Sequence, residues 1–389
     1  MDSSLIALVI GTLILLSSVV SIELGISVAI VEIILGVVGG NFLGLHTTPW
    51  IDWLAGFGSI VLTFLAGTEV DIPVMRKWFK ESLLIGGASF LIPFLAVFAY
   101  TYYIAGWSLR AAEIAGCALS TTSLAVVYAV LVETGLTKTE IGKIIMASTF
   151  VTDIGTVLAL SILFVKPNLY VIAFVVVSAV IIFIAPKAVP WFFRKYGGRV
   201  IEPEIKLLLF FLLILMFVAK ISGSHAVLPA FILGLALSSI LSGEHVEEVR
   251  LRVVAFALLT PFFFIKAGMN VSLKAVTASI FLTGILFAVK IGAKTAGIYP
   301  LGRRFFPKYA IYTNLLMSTG LTFGTISAMY GLTSHIITKS QFSVLVAVVI
   351  ATAVIPTFIA QRWFEPRHLL TVPEEAHSTY AHDGDNTER

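Results

Sequence analysis

Apolar residues fall in long blocks along almost the whole chain, separated by short polar connections. A helix that crosses a bilayer needs ~20 mostly apolar residues. On that criterion the pattern predicts about 13 spans, near 4–20, 23–44, 51–72, 81–105, 109–134, 139–165, 168–190, 204–222, 225–242, 250–271, 275–299, 308–331 and 339–361. Short connections make neighbours in sequence antiparallel neighbours in space. The chain opens Met1-Asp2-Ser3-Ser4 and runs straight into an apolar stretch with no basic segment ahead of it. That layout is unlike a cleaved leader, so the stretch is read as the first span. From Glu365 onward the residues are polar without an apolar period, and 362–389 is read as a disordered cytoplasmic tail.

Composition narrows the function. The 389 residues are 58% hydrophobic and 12% charged, against ~25% charged in soluble domains. That much apolar surface excludes a soluble enzyme, and its spread along the chain excludes a single anchor. One cysteine, Cys117, excludes a disulfide framework and a cysteine zinc site. No glycine-rich phosphate loop is present, so no cofactor is expected, and energy for transport would come from an ion gradient rather than ATP. The expected partners are the lipid bilayer, monovalent cations and protons, with no nucleic acid. Placement of charge says more than its net value of +4. Threading the spans puts about 18 Lys and Arg on one side against 5 on the other. This predicts a multi-pass protein of the plasma membrane with the N-terminus outside and the C-terminus cytoplasmic.

Ionisable side chains at membrane depth are costly and point to function. Asp153 lies midway through the span 139–165 and is the deepest carboxylate, so it is read as a titrating cation or proton site. Lys290, midway through 275–299, is its expected counter-charge. Lys294, one turn on along the same face, is expected to snorkel to the interface. Lys266 is expected to snorkel at the outer interface, and Glu32 to be a packed, protonated structural acid. Glu69 and Asp71, near the cytoplasmic end of the third span, either line a funnel that attracts cations or balance Arg76 and Lys77.

Two spans carry small polar residues at mid-membrane: Ser120-Thr121-Thr122-Ser123, and Ser318-Thr319-Gly320 continuing to Gly324. Hydroxyls can satisfy freed backbone groups, so non-helical backbone is tolerated there if it lines a cavity. Counting spans 1–6 and 8–13 as halves makes each segment the fifth helix of its half. The odd span between them inverts one half relative to the other. Inverted repeats with interrupted helices and a site at the midplane mark secondary transporters. The predicted fold is therefore an all-α polytopic membrane protein with two inverted six-helix repeats and crossed discontinuous helices.

Several stretches carry a family resemblance. Phe64-Leu65-Ala66-Gly67-Thr68-Glu69-Val70-Asp71, Leu119 to Val126, Ala230-Phe231-Ile232-Leu233-Gly234 and Pro261-Phe262-Phe263-Phe264-Ile265-Lys266-Ala267-Gly268-Met269 resemble motifs of the cation:proton antiporter superfamily. The resemblance is to its second branch, with the NapA-type and Kef-type proteins and small spore-germination-like members. It implies an NhaA-like fold and a homodimer with elevator-like motion. It further implies a scaffold (1–75 and 201–274), a linker helix (168–200) and an ion-transporting core (76–167 and 275–361). It matches the family's ion-binding Asp to Asp153 and its membrane Lys to Lys290. The chain departs from the pattern at Thr152, where NapA-type members carry an acid, and at Thr319-Gly320-Leu321, where Arg-Gly-Glu is usual.

The expected activity is secondary antiport of a monovalent cation, Na⁺ first and Li⁺ or K⁺ after it, against protons. Asp153 would bind either, and Thr152, Thr122, Ser120 and backbone carbonyls would add hard oxygen ligands. Potassium/proton antiport or Kef-like potassium efflux is the alternative. A channel, an intramembrane aspartyl protease and an organic-solute symporter fit the sequence less well. With Asp153 as the one deep carboxylate of the core, one cation is expected to move per proton.

Overall fold

The computed structural model describes residues 3–24, 27–68, 70, 72–133, 136, 139–164, 169–224, 226–243 and 245–364. Regular structure among the described residues is helical throughout. In chain order the helices are α1 (Ser3–Leu24), α2 (Val28–Phe42), α3 (Pro49–Thr68), α4 (Ile72–Lys77), α5 (Phe79–Ala99), α6 (Leu109–Ser120), α7 (Leu124–Glu133), α8 (Glu140–Phe164) and α9 (Leu169–Tyr196). They continue as α10 (Pro203–Ser222), α11 (Val227–Gly243), α12 (His245–Val254), α13 (Thr260–Asn270), α14 (Leu273–Ala278), α15 (Ile280–Phe305), α16 (Ala310–Met317), α17 (Thr322–Thr333) and α18 (Lys339–Trp363).

Ten helical stretches of the described residues are long and apolar enough to cross a bilayer, and Val28–Phe42 and Val227–Leu241 are shorter apolar helices. The stretches expected at 109–134 and 308–331 are each divided, into α6 and α7 and into α16 and α17. The chain is a multi-pass membrane protein. Helices are what its sequence allows, because in hydrocarbon each segment must satisfy its own backbone. Prolines lie inside α5, α9, α15 and α18 (Pro93, Pro186, Pro190, Pro300 and Pro356), which spanning helices tolerate where neighbouring helices can re-satisfy the freed backbone groups. Between α12 and α13 the backbone passes through a π-helical turn, Ala255–Leu259, just ahead of Pro261. The polar tail expected from Glu365 lies outside the described residues.

Packing runs in two sets. In one, α2 lies along α13, α3 along α11, and α9 along α10 and α11. In the other, α5 lies between α6, α8 and α15, α17 lies on α6, and α18 touches α15, α16 and α17. Apolar side chains such as Leu8, Leu15, Phe183, Phe217 and Phe281 face outward. That is the surface a lipid-solvated protein presents.

The first set is closed by glycines. A Cβ at Gly36 would collide with the Ile265 carbonyl oxygen, and one at Gly268 with that of Ile33. Gly67 and Gly234 stand in the same relation to the carbonyls of Phe231 and Phe64. Each crossing is thus a reciprocal pair in which backbone touches backbone, the small-residue packing that lipid-embedded helices use where side-chain burial brings no hydrophobic gain. Gly234→Ala is expected to cost about 1–3 kcal/mol, read as a lower thermal midpoint in detergent. Gly87→Ala, with nothing within 4 Å of its new methyl group, should not lower it.

Candidate functional site

The two small polar segments meet in the middle of the second set. After Ser120 the chain leaves the helix, with Thr121 extended at φ −65° and ψ 154°, and returns to it at Leu124. After Met317 it leaves again, and α17 starts after Leu321 at φ −139° and ψ −72°. The Ser123 amide donates to the Thr319 carbonyl at 3.1 Å. The Thr122 hydroxyl donates to the Met317 carbonyl at 2.8 Å. Each break therefore supplies partners to the other. The remaining hydroxyls turn back on their own helices: Ser120 to Cys117, Thr121 to Ala118, Ser318 to Asn314 and Thr319 to Leu316. Gly320 and Gly324 admit this approach, since a Cβ at Gly324 would stand 2.8 Å from the Ala118 carbonyl oxygen.

Three ionisable side chains surround the crossing. Asp153 on α8 is buried, with 1% of its surface exposed. Lys290 and Lys294 on α15 are both fully enclosed. Lys294 Nζ donates to Ser89 Oγ on α5 at 2.7 Å and to Thr122 Oγ1 at 2.9 Å. It also lies within electrostatic reach of Asp153 and Lys290. The expectation that Lys294 snorkels is overturned: its ammonium has inward hydroxyl partners and no path to water. Lys290 Nζ donates to Thr352 Oγ1 on α18 at 2.9 Å and fills the space a side chain at Gly320 would need.

Thr152 stands beside Asp153 on α8. Its hydroxyl donates to the Ser148 carbonyl at 3.1 Å and sits 3.4 Å from that of Gly86 on α5. Thr152, Thr122, Ser120, Thr121, Ser123, Ser318 and Thr319 are all buried in this centre. Glu32 is buried in α2, away from it. Glu69 and Asp71 lie outside the described residues. Ser89 and Thr352 do not stand out in the sequence; each is one small hydroxyl within an apolar span, facing a lysine that only the fold brings near.

A cavity of about 1060 Å³ opens at the end of the bundle where α3 begins and α8 ends. Helices α3, α9, α10, α11 and α13 line one side of it; α8 and α17, through Leu160, Ser161, Met329 and Tyr330, line the other. Leu160 is seven residues beyond Asp153 on α8, about 10 Å along the axis. Lys266 lines this cavity and is not snorkelled at an interface: it is 8% exposed and pairs with Asp52 at 2.9 Å.

Known proteins resemble both the sequence and the fold. The chain is 31% identical over 259 residues to a probable Na⁺/H⁺ antiporter 3 of Methanocaldococcus jannaschii, covering 64% of this chain and 66% of that one. It is 26% identical over 349 residues to the Na⁺/H⁺-K⁺ antiporter GerN of Bacillus cereus, covering 86% of this chain and 89% of that one. The fold matches the sodium proton antiporter MjNhaP1 of Methanocaldococcus jannaschii with a TM-score of 0.66 at 14% identity, over 93% of this chain and 97% of that one. The sequence profile of the family described as "Sodium/hydrogen exchanger, transmembrane" matches residues 6–365. The resemblance read from the motifs therefore holds at the level of the superfamily, and the chain belongs to the sodium/hydrogen exchanger family of transmembrane cation/proton antiporters.

Proposed function

We propose that Asp153 is the site at which a monovalent cation and a proton exchange, with Lys294 as the tethered charge that stands in the site between the two. The position of Lys294 carries this reading. Its ammonium holds the Ser89 and Thr122 hydroxyls and attracts Asp153, which together make a set of hard oxygens suited to an alkali cation. A cation that takes those oxygens has to displace the ammonium. Thr152 and Ser120 donate their protons to backbone carbonyls, so their oxygens keep acceptor capacity for the ion.

Lys290 has a different task. It lies against the crossing, where the C-terminal ends of α6 and α16 present partial negative charge. There it balances the broken helices rather than the ion. Na⁺ is the first substrate in this reading, with Li⁺ beside it. K⁺ is the second, favoured by the relative whose name includes both Na⁺ and K⁺. The second packing set would slide as a body along the first in an elevator-like step, with α9 as the link and a homodimer as the frame. The membrane is the plasma membrane, with the N-terminus outside.

In proteoliposomes, Asp153→Asn should hold cation-dependent proton flux below about a tenth of the parent level, the scale of one lost 1.4 kcal/mol term, with the thermal midpoint kept. Flux above that level would remove Asp153 from the exchange site. Lys294→Gln keeps a donor for Ser89 and Thr122 but loses the charge. It should tighten cation binding several-fold in calorimetry, while Lys290→Gln should not. If one cation moves per proton, a membrane potential imposed with no ion or pH gradient should drive no cation-coupled proton movement; a sustained flux would mean a second titrating group.

A further inference from the structure

We infer that Asp52 is a capture site for the cation in the cavity between the two packing sets, with its strength set by Lys266. This rests on the antiport reading and adds a second ion contact to it. The cavity walls are largely apolar, and the charged residues among those described as lining them are Asp52, Lys220 and Lys266. The two ammonium groups alone would make the cavity hostile to a cation, because apolar walls concentrate the field of the charges they carry. Asp52 is the group that offsets this.

Its geometry suits the task. Asp52 sits in the first turn of α3, and Lys266 reaches it from α13. The ammonium is bound to Oδ1 at 2.9 Å, yet the carboxylate side chain remains 49% exposed, against 10% for the lysine. A carboxylate offers about four lone-pair sites, so one bond to Lys266 leaves room for an ion on the cavity side. Lys266 orients the carboxylate and weakens its pull. A cation is then held strongly enough to enter and loosely enough to pass on, the balance that conduction pathways need.

The alternative is a tether whose only work is to hold α3 to α13. The two roles differ in sign. Measure initial cation-dependent proton flux in vesicles of known orientation, varying the cation on each side in turn. Asp52→Asn should raise the KM for cation added on the cavity side about five-fold, the factor one unit charge at ~4 Å gives in water. Vmax and the KM from the opposite side should stay as in the parent. Lys266→Met should lower the cavity-side KM, and Lys266→Gln carries the same sign if the Met variant does not fold. Shifts in the same direction for the two positions, equal shifts from both sides, or no shift would overturn the capture site. A parent with no cation-dependent flux would overturn the antiport reading together with it, whereas an active parent with unshifted variants removes the capture site alone.

Discussion

A peptide group surrounded by hydrocarbon has to find its hydrogen-bond partner within the protein, and each group left without one costs several kcal/mol. Interrupting a helix at mid-membrane is thus possible only if the freed groups are met. Here two interruptions meet each other. The Ser123 amide goes to Thr319, and the Thr122 hydroxyl goes to Met317. Neither break would stand alone. The placement of α6, α7, α16 and α17, and of the side chains they carry, follows from that mutual dependence.

The crossing also decides what each lysine can do. Lys290 and Lys294 are one turn apart on α15 and share a face, but they meet different neighbours. One reaches Thr352 on α18; the other reaches Ser89 on α5 and Thr122 in the break. Burying two ammonium groups this close is unfavourable by itself, since each loses its water and repels the other. The arrangement holds because hydroxyls, half-helix ends and Asp153 surround them. Thr122 occupies the joint of the design: it gives its proton to the partner break and offers its lone pairs to Lys294.

Much of this was legible in the residues. The two Ser-Thr runs point to the breaks by their matching places in the two halves, since buried hydroxyls alone leave α8 unbroken. Asp153 announces itself by its cost. The lysines are less legible. A spacing of four residues puts Lys290 and Lys294 on one face, but the rotation of α15 against α5 and α18 decides which partners each one meets, and rotation is not written in α15 alone. Lys294 looked long enough to reach water, whereas the fold closes over it. Lys266 and Asp52 lie more than two hundred positions apart, and neither motif mentions the other. Such a pair is set by how α3 and α13 dock, which neither helix's own sequence declares.

Those glycine crossings behave differently from a water-soluble core. Between Gly36 and Gly268, and between Gly67 and Gly234, the helices touch through backbone atoms, with no side chains interleaved. Lipid tails already surround the apolar surface, so closing these joints releases little ordered water. The attraction is close-range dispersion with Cα–H to carbonyl contacts. A soluble core weakens on cooling because its main driving force is the entropy of water. The α2–α13 and α3–α11 joints lack that dependence. They should grip as firmly in a cold membrane as in a warm one, leaving the fluidity of the surrounding lipid as the temperature-sensitive part of the machine.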